Sequence, residues 1–143
     1  MKNVQNSARV RFPALGENES FARIVTAGFL MHLGVTPSQL ADIKTVVSEA
    51  VTNAIVHGYE GGGKDRYILL EMCFFEDRTL QICVTDKGRG IEDVERAMEP
   101  FYTTDREGER SGMGLPIICA FCDKVKIVTR PGYTRIRMRK KLG

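Results

Sequence analysis

The polar and apolar positions of residues 7–12, Ser-Ala-Arg-Val-Arg-Phe, alternate one by one. That period of two predicts a strand with one dry face, ended by Pro13 and Gly16. The period then lengthens. Phe21, Ile24, Val25, Phe29 and Leu33 recur at helical spacing, predicting a helix from the capping cluster Glu17-Asn18-Glu19-Ser20 to about Leu33, with Gly34 as the stop. Thr36-Pro37-Ser38 opens a second helix, with threonine as the cap and proline in the first turn. It is predicted to run to about His57 and end at Gly58, with Leu40, Ile43, Val46, Val47, Ala50 and Ala54 on one face.

Beyond the flexible turn Gly61-Gly62-Gly63 the period returns to two. Arg66 to Phe75 reads as a strand with Ile68, Leu70, Met72 and Phe74 on one side. The tight turn Glu76-Asp77-Arg78 predicts a hairpin to a strand over Thr79–Asp86. On that strand Leu80, Ile82, Val84 and Asp86 share a face, so an apolar stripe ends in a carboxylate, which is costly to bury without a partner. A short helix is expected over 92–98 and a helix over Gly114–Phe121, where Pro116 is tolerable in the first turn. Strands over Lys124–Arg130 and Tyr133–Arg139 flank the turn Pro131-Gly132. Between 99 and 112 lies a long loop rich in glycine, threonine and charge, of the kind that closes over ligands.

Composition narrows the class. The chain has 143 residues, 43% hydrophobic and 27% charged, which suits one globular domain over 1–143 with a real core. It holds neither a bilayer-length apolar run nor a secretion signal, so a cytoplasmic protein without a membrane partner is expected. A net charge of +3 is too small to argue for direct nucleic-acid binding. Cys119-x-x-Cys122 lacks a second ligand pair at metal spacing, so these thiols, with Cys73 and Cys83, read as small buried residues in a reducing compartment.

Three stretches carry candidate chemistry. Glu49 and Asn53 stand one helical turn apart at the flank of the apolar face, where a carboxylate can take a proton and an amide oxygen can meet a hard cation such as magnesium. The same pattern also serves an ordinary amphipathic helix. In Asp86-x-Gly88-x-Gly90 the carboxylate could accept from an exocyclic amine such as adenine's, and the glycines admit a flat ring; an ordinary turn has the same form. Arg110-Ser111-Gly112-Met113-Gly114 ends the long loop at a helix start, where free backbone N–H groups favour phosphate. On the C-terminal strand Arg135, Arg137 and Arg139 alternate with Ile136 and Met138. This is most simply a strand with a wet, basic face, with an acidic partner surface as the sharper alternative.

In this order the three stretches resemble the ATP-binding domain shared by gyrase, a heat-shock chaperone, histidine kinases and MutL, the GHKL or Bergerat fold. Within it the chain is similar to the anti-sigma F factors of spore-forming bacteria. The stretches that carry the likeness are Asn18-Glu19-Ser20-Phe21-Ala22-Arg23, Ile43 to Ile55 with His57-Gly58-Tyr59, and Glu109 to Gly114. The resemblance implies a two-layer α/β sandwich with a mixed, mostly antiparallel sheet covered by helices on one face. It implies a homodimeric serine/threonine protein kinase that uses ATP and Mg2+ to phosphorylate an anti-anti-sigma factor and that holds a sporulation sigma factor inactive. It implies Glu49 as general base and Asn53 as magnesium ligand. Asp86, Gly88 and Gly90 then form the adenine site, joined by Thr134. Thr104, Arg110, Ser111, Gly112, Met113 and Gly114 supply lid and phosphate contacts within a lid over about 99–114, and Arg23 is the partner-docking residue. A stress-response-type anti-sigma kinase or an isolated ATPase of the same fold is the alternative. A histidine kinase would need a phosphoacceptor histidine on a dimerisation helix, whereas His32 and His57 fall in predicted helices of the nucleotide domain and read as structural.

Overall fold

The computed structural model describes residues 3–98 and 114–143. Its elements, in chain order, are β1 (Val4–Ala14), α1 (Asn18–Leu30), α2 (Pro37–Asn53), β2 (Gly63–Phe75), β3 (Thr79–Asp86), α3 (Val94–Ala97), α4 (Gly114–Phe121), β4 (Lys124–Arg130) and β5 (Tyr133–Lys141). The strands form one sheet in the order β1-β2-β3-β5-β4. All four pairings are antiparallel, so among the described residues the sheet lacks the parallel component implied by a mixed one.

The period-two pattern becomes the two faces of this sheet. Ile68, Leu70 and Met72 of β2, Leu80, Ile82 and Val84 of β3, and Ile136 and Met138 of β5 are all buried. They share one core with Leu30 of α1, Val47, Ala50 and Val51 of α2, and Ile118 of α4. At roughly 25 cal/mol per Å² of apolar area removed from water, this layer contact is the main favourable contribution to the fold. The opposite face of the sheet carries no packed helix among the described residues; it is mostly polar on β3 and β5, with Gln81, Thr85, Arg135, Arg137 and Arg139, and mostly apolar on β2, with Leu69, Cys73 and Phe75.

Helix ends follow local chemistry with two departures. The α2 start is a full capping box: Gln39 N–H donates to the Thr36 hydroxyl, and Thr36 N–H donates to Gln39 Oε1, both at 3.0 Å. No side chain caps α1. The Asn18 amide instead donates to Pro13 O at 2.9 Å, fastening the helix start to the end of β1. α1 stops at Leu30, short of Leu33, and Gly34 takes a positive φ of 70°. Arg78 then ties the β2–β3 turn to this corner by donating to Leu33 O at 2.6 Å.

The second departure lies nearer the chemistry. α2 does not continue as an α-helix to His57; Ala54–Gly58 is wound as a π-helical turn. Tyr59 N–H reaches back five residues to Ala54 O at 2.9 Å. Single π-turns of this kind widen a helix locally and commonly sit at functional sites.

Candidate functional site

Asp86 ends the apolar stripe of β3 as the sequence predicts, and it is only 4% exposed. In the sheet it lies between Ile68 of β2 and Thr134 of β5. Its partner comes from its own loop: Gly88 N–H donates to Asp86 Oδ1 at 2.9 Å. Burial still dominates and pushes the carboxyl up to about 6, with the Gly88 hydrogen bond pulling the other way. A carboxylate held this way can accept a hydrogen bond from a ligand, since a donor is what a buried, under-solvated carboxylate lacks.

The π-turn presses against this carboxyl. A methyl group added at Gly58 would stand 2.7 Å from Asp86 Oδ1, and one at Gly88 would stand 2.0 Å from Gly58 O. Only two residues without side chains can meet here. Gly58 O in turn accepts from Arg89 N–H at 2.9 Å. The buried Tyr59 hydroxyl donates to Tyr67 O at 2.6 Å and accepts from Lys87 N–H at 2.7 Å. The end of α2, the end of β3 and the start of β2 are thereby fixed to one another around Asp86. The sequence marks Gly58 as a helix stop and His57-Gly58-Tyr59 as part of the family likeness, but assigns neither Gly58 nor Tyr59 a contact at the site. The extra backbone widening of a π-turn leaves no sequence period by which to find it.

Thr134 sits in register with Asp86 and is 2% exposed. Its hydroxyl lies 2.8 Å from that of Thr129 on β4, which also accepts from Ile91 N–H at 2.9 Å. The Asp86-x-Gly88-x-Gly90 loop is thus tied to the β4–β5 hairpin as well. Gly90, with a φ of 85°, approaches so closely that an added methyl would lie 2.5 Å from Arg130 O. Thr129 had no signal in the sequence beyond its place on a strand.

Glu49 and Asn53 occupy the last turns of α2, both half-buried. The one helix rotation between them leaves a carboxylate and an amide on the same flank. A methyl group at Gly114 would stand 3.4 Å from Glu49 Oε2, so the first residue of α4 comes up to the Glu49 carboxylate. The tertiary structure therefore gathers Glu49, Asn53, the Gly58 turn, Asp86 and Gly114 along the α2–β3–α4 side of the molecule. Their donor set is oxygen only, which suits a hard cation bound mainly by its ligand's phosphates and water. Among the described residues no group of three or more His, Cys, Asp or Glu is placed to hold a metal unaided.

Thr104, Arg110, Ser111, Gly112 and Met113, with the rest of the 99–113 segment, lie outside the described residues. Arg23 is elsewhere, on α1. It pairs with Glu19 at 3.0 Å, and Glu19 also accepts from the Ser48 hydroxyl of α2. Arg23 borders an open groove of about 640 Å³ between α1 and α2, beside Ile24, Met31 and Lys44. The four thiols are free, and burial pushes those of Cys83, Cys119 and Cys122 up, the last to about 11. Among the described residues no helix is long and apolar enough to cross a membrane.

Known proteins resemble this chain in sequence and in fold. A family model described as a histidine kinase-like ATPase domain matches residues 12–140. The chain is 45% identical over 141 residues to the anti-sigma F factor of Clostridium acetobutylicum, a match covering 98% of this chain and 96% of that one. It is 44% identical over 139 residues to the anti-sigma F factor of Shouchella clausii, covering 96% and 93%. Among solved structures, the RsbU and RsbW domains of a Mycobacterium tuberculosis protein superpose with a TM-score of 0.72 at 20% identity, covering 96% of this chain and 33% of that chain; at that identity the likeness is one of fold.

Proposed function

Because the chain belongs to the histidine kinase-like ATPase domain family and, within it, to the anti-sigma F factors, we propose that it is an ATP-dependent serine/threonine protein kinase that also binds and inhibits a sigma factor. In this reading a sporulation sigma factor is the protein held inactive. An anti-anti-sigma factor is the phosphorylation substrate, and the active species is a homodimer of single-domain chains in the cytoplasm. The observation that carries the kinase reading is the convergence of Asp86, the Gly58 turn and the Glu49–Gly114 contact from distant parts of the sequence.

Each residue has a task. Asp86 accepts from the exocyclic amine of adenine, with Thr134 beside it and Gly88 and Gly90 leaving room for the ring. Asn53 offers its amide oxygen to Mg2+. Bound Mg-ATP would supply the transferable phosphoryl group and the neutralising charge. With ATP bound, Glu49 would take the proton of the incoming serine or threonine hydroxyl as the γ-phosphoryl group passes to that oxygen and ADP leaves. Thr104, Arg110, Ser111, Gly112, Met113 and Gly114 close over the phosphates. Phosphoryl transfer has a loose transition state, so positioning and charge stabilisation supply most of the rate. Arg23, beside the α1–α2 groove, docks the protein partners.

The test is incubation with labelled ATP, Mg2+ and a candidate anti-anti-sigma protein. Label should pass to a serine or threonine of the partner, and Glu49→Gln should bind ATP normally yet transfer no label. Steady ATP turnover with no labelled partner would favour a plain ATPase instead, and full transfer by Glu49→Gln would remove Glu49 as the base.

A further inference from the structure

We infer that the helix-free face of the sheet is a second docking surface, fitted to a carboxylate-rich protein segment. On β5, Arg135, Arg137 and Arg139 alternate with the core residues Thr134, Ile136 and Met138, so all three point away from the helices. On the neighbouring edge strand β4, Lys126 pairs with Arg137 and Lys124 with Arg139. Two rungs of the ladder, neighbours on this face, thus set like charges directly opposite each other, an arrangement that destabilises a sheet. Among the described residues none of these five cations forms an ion pair. Across the sheet, Arg9 and Arg11 of β1 extend the positive field. Glu71, at an outward position of β2, is held by Arg9 at 3.3 Å.

An edge strand gains protection from a lysine or two, but that need does not call for arginines on the strand inside it. The arginines are also held in place. Arg139 Nε donates to Gln81 Oε1 at 2.7 Å, and Arg135 donates to Cys83 Sγ at 3.3 Å. Arg135 Nε is buried from water and has no hydrogen-bond partner. Cations spaced at about 7 Å along a strand and about 5 Å between strands form a flat lattice of forked donors. Its complement is a segment bearing several carboxylates.

Nucleic acid is the weaker occupant. The sequence pI of about 8.7 falls below that of a typical nucleic-acid domain. The middle of the face is Gln81, Cys83 and Thr85, and the tyrosine rings that flank it are already covered by arginines, Tyr67 by Arg11 and Tyr133 by Arg130, so neither offers a base an open ring to stack on.

The experiment uses the full chain and three fluorescein-labelled probes of equal length: poly-glutamate, poly-glutamine and poly-deoxythymidine. Poly-glutamate should raise the anisotropy in a saturable, salt-sensitive way while poly-glutamine does not. In the triple variant Arg135→Gln/Arg137→Gln/Arg139→Gln its affinity should fall by roughly tenfold. The double variant Lys124→Gln/Lys126→Gln should also weaken binding. Because it removes the opposed like charges, it should melt no lower than the parent, which guards against loss by misfolding. No saturable binding of poly-glutamate, binding that neither variant weakens, or tighter binding of poly-deoxythymidine would overturn the inference.

Discussion

Replacing Asp86 with asparagine should make the protein more stable and, on the proposed reading, unable to hold ATP. The carboxyl is pushed from 3.8 to about 6 by burial. A rise of about two units corresponds to roughly 3 kcal/mol of preference for the neutral form. The sign follows from linkage. Above pH 6 the group is ionised in both folded and unfolded chains, and the folded state carries the whole penalty. As pH falls from 6 towards 3.8 the folded chain takes up a proton before the unfolded one does, and the penalty disappears. Asparagine keeps an acceptor for Gly88 N–H but adds an NH2 group that needs its own partner, so a gain of about 2 kcal/mol is expected near pH 8. Urea denaturation of parent and variant near pH 8 and near pH 4 measures it, the gap shrinking towards zero in acid. The difference between the two proteins isolates Asp86 from the other groups that titrate over the same range. A variant no more stable than its parent near pH 8, or an equal gap at both pH values, would refute the argument that burial of this carboxylate is a standing cost kept for ligand recognition.

Gly58→Ala would place a methyl group 2.7 Å from Asp86 Oδ1. Overpacking of this kind costs about 1–3 kcal/mol, and nucleotide affinity measured by calorimetry should fall with the displaced carboxylate. Thr36→Ala removes one half of the α2 capping box and should lower stability by about 1 kcal/mol in urea, with no effect on nucleotide affinity. Tyr59→Phe leaves Lys87 N–H without the acceptor it has at 2.7 Å and should cost about 1–3 kcal/mol in the same assay. Arg23→Ala should weaken partner binding in a pull-down against purified sigma factor while leaving ATP affinity intact; unchanged partner affinity would remove Arg23 as a docking residue.

The elements themselves were legible along the chain because their causes are local. The alternation of Ile68, Leu70 and Met72, the Thr36-Pro37 start of α2 and the Pro131-Gly132 turn each encode an element without help from distant residues. The order of the three glycine- and carboxylate-bearing stretches likewise pointed to their family before any coordinates. What required the tertiary structure was everything decided by contact between stretches far apart. The β1-β2-β3-β5-β4 order, the π-turn that carries Gly58 onto Asp86, the Tyr59 hydroxyl bridging Tyr67 and Lys87, and the arrival of Gly114 at Glu49 follow from how the layers pack. So does the opposition of Lys124 and Lys126 to Arg139 and Arg137. A sequence sets the period with which each segment exposes its apolar side. Which segments then touch, and at what register, depends on burying those sides together, and that is settled only when the whole core closes.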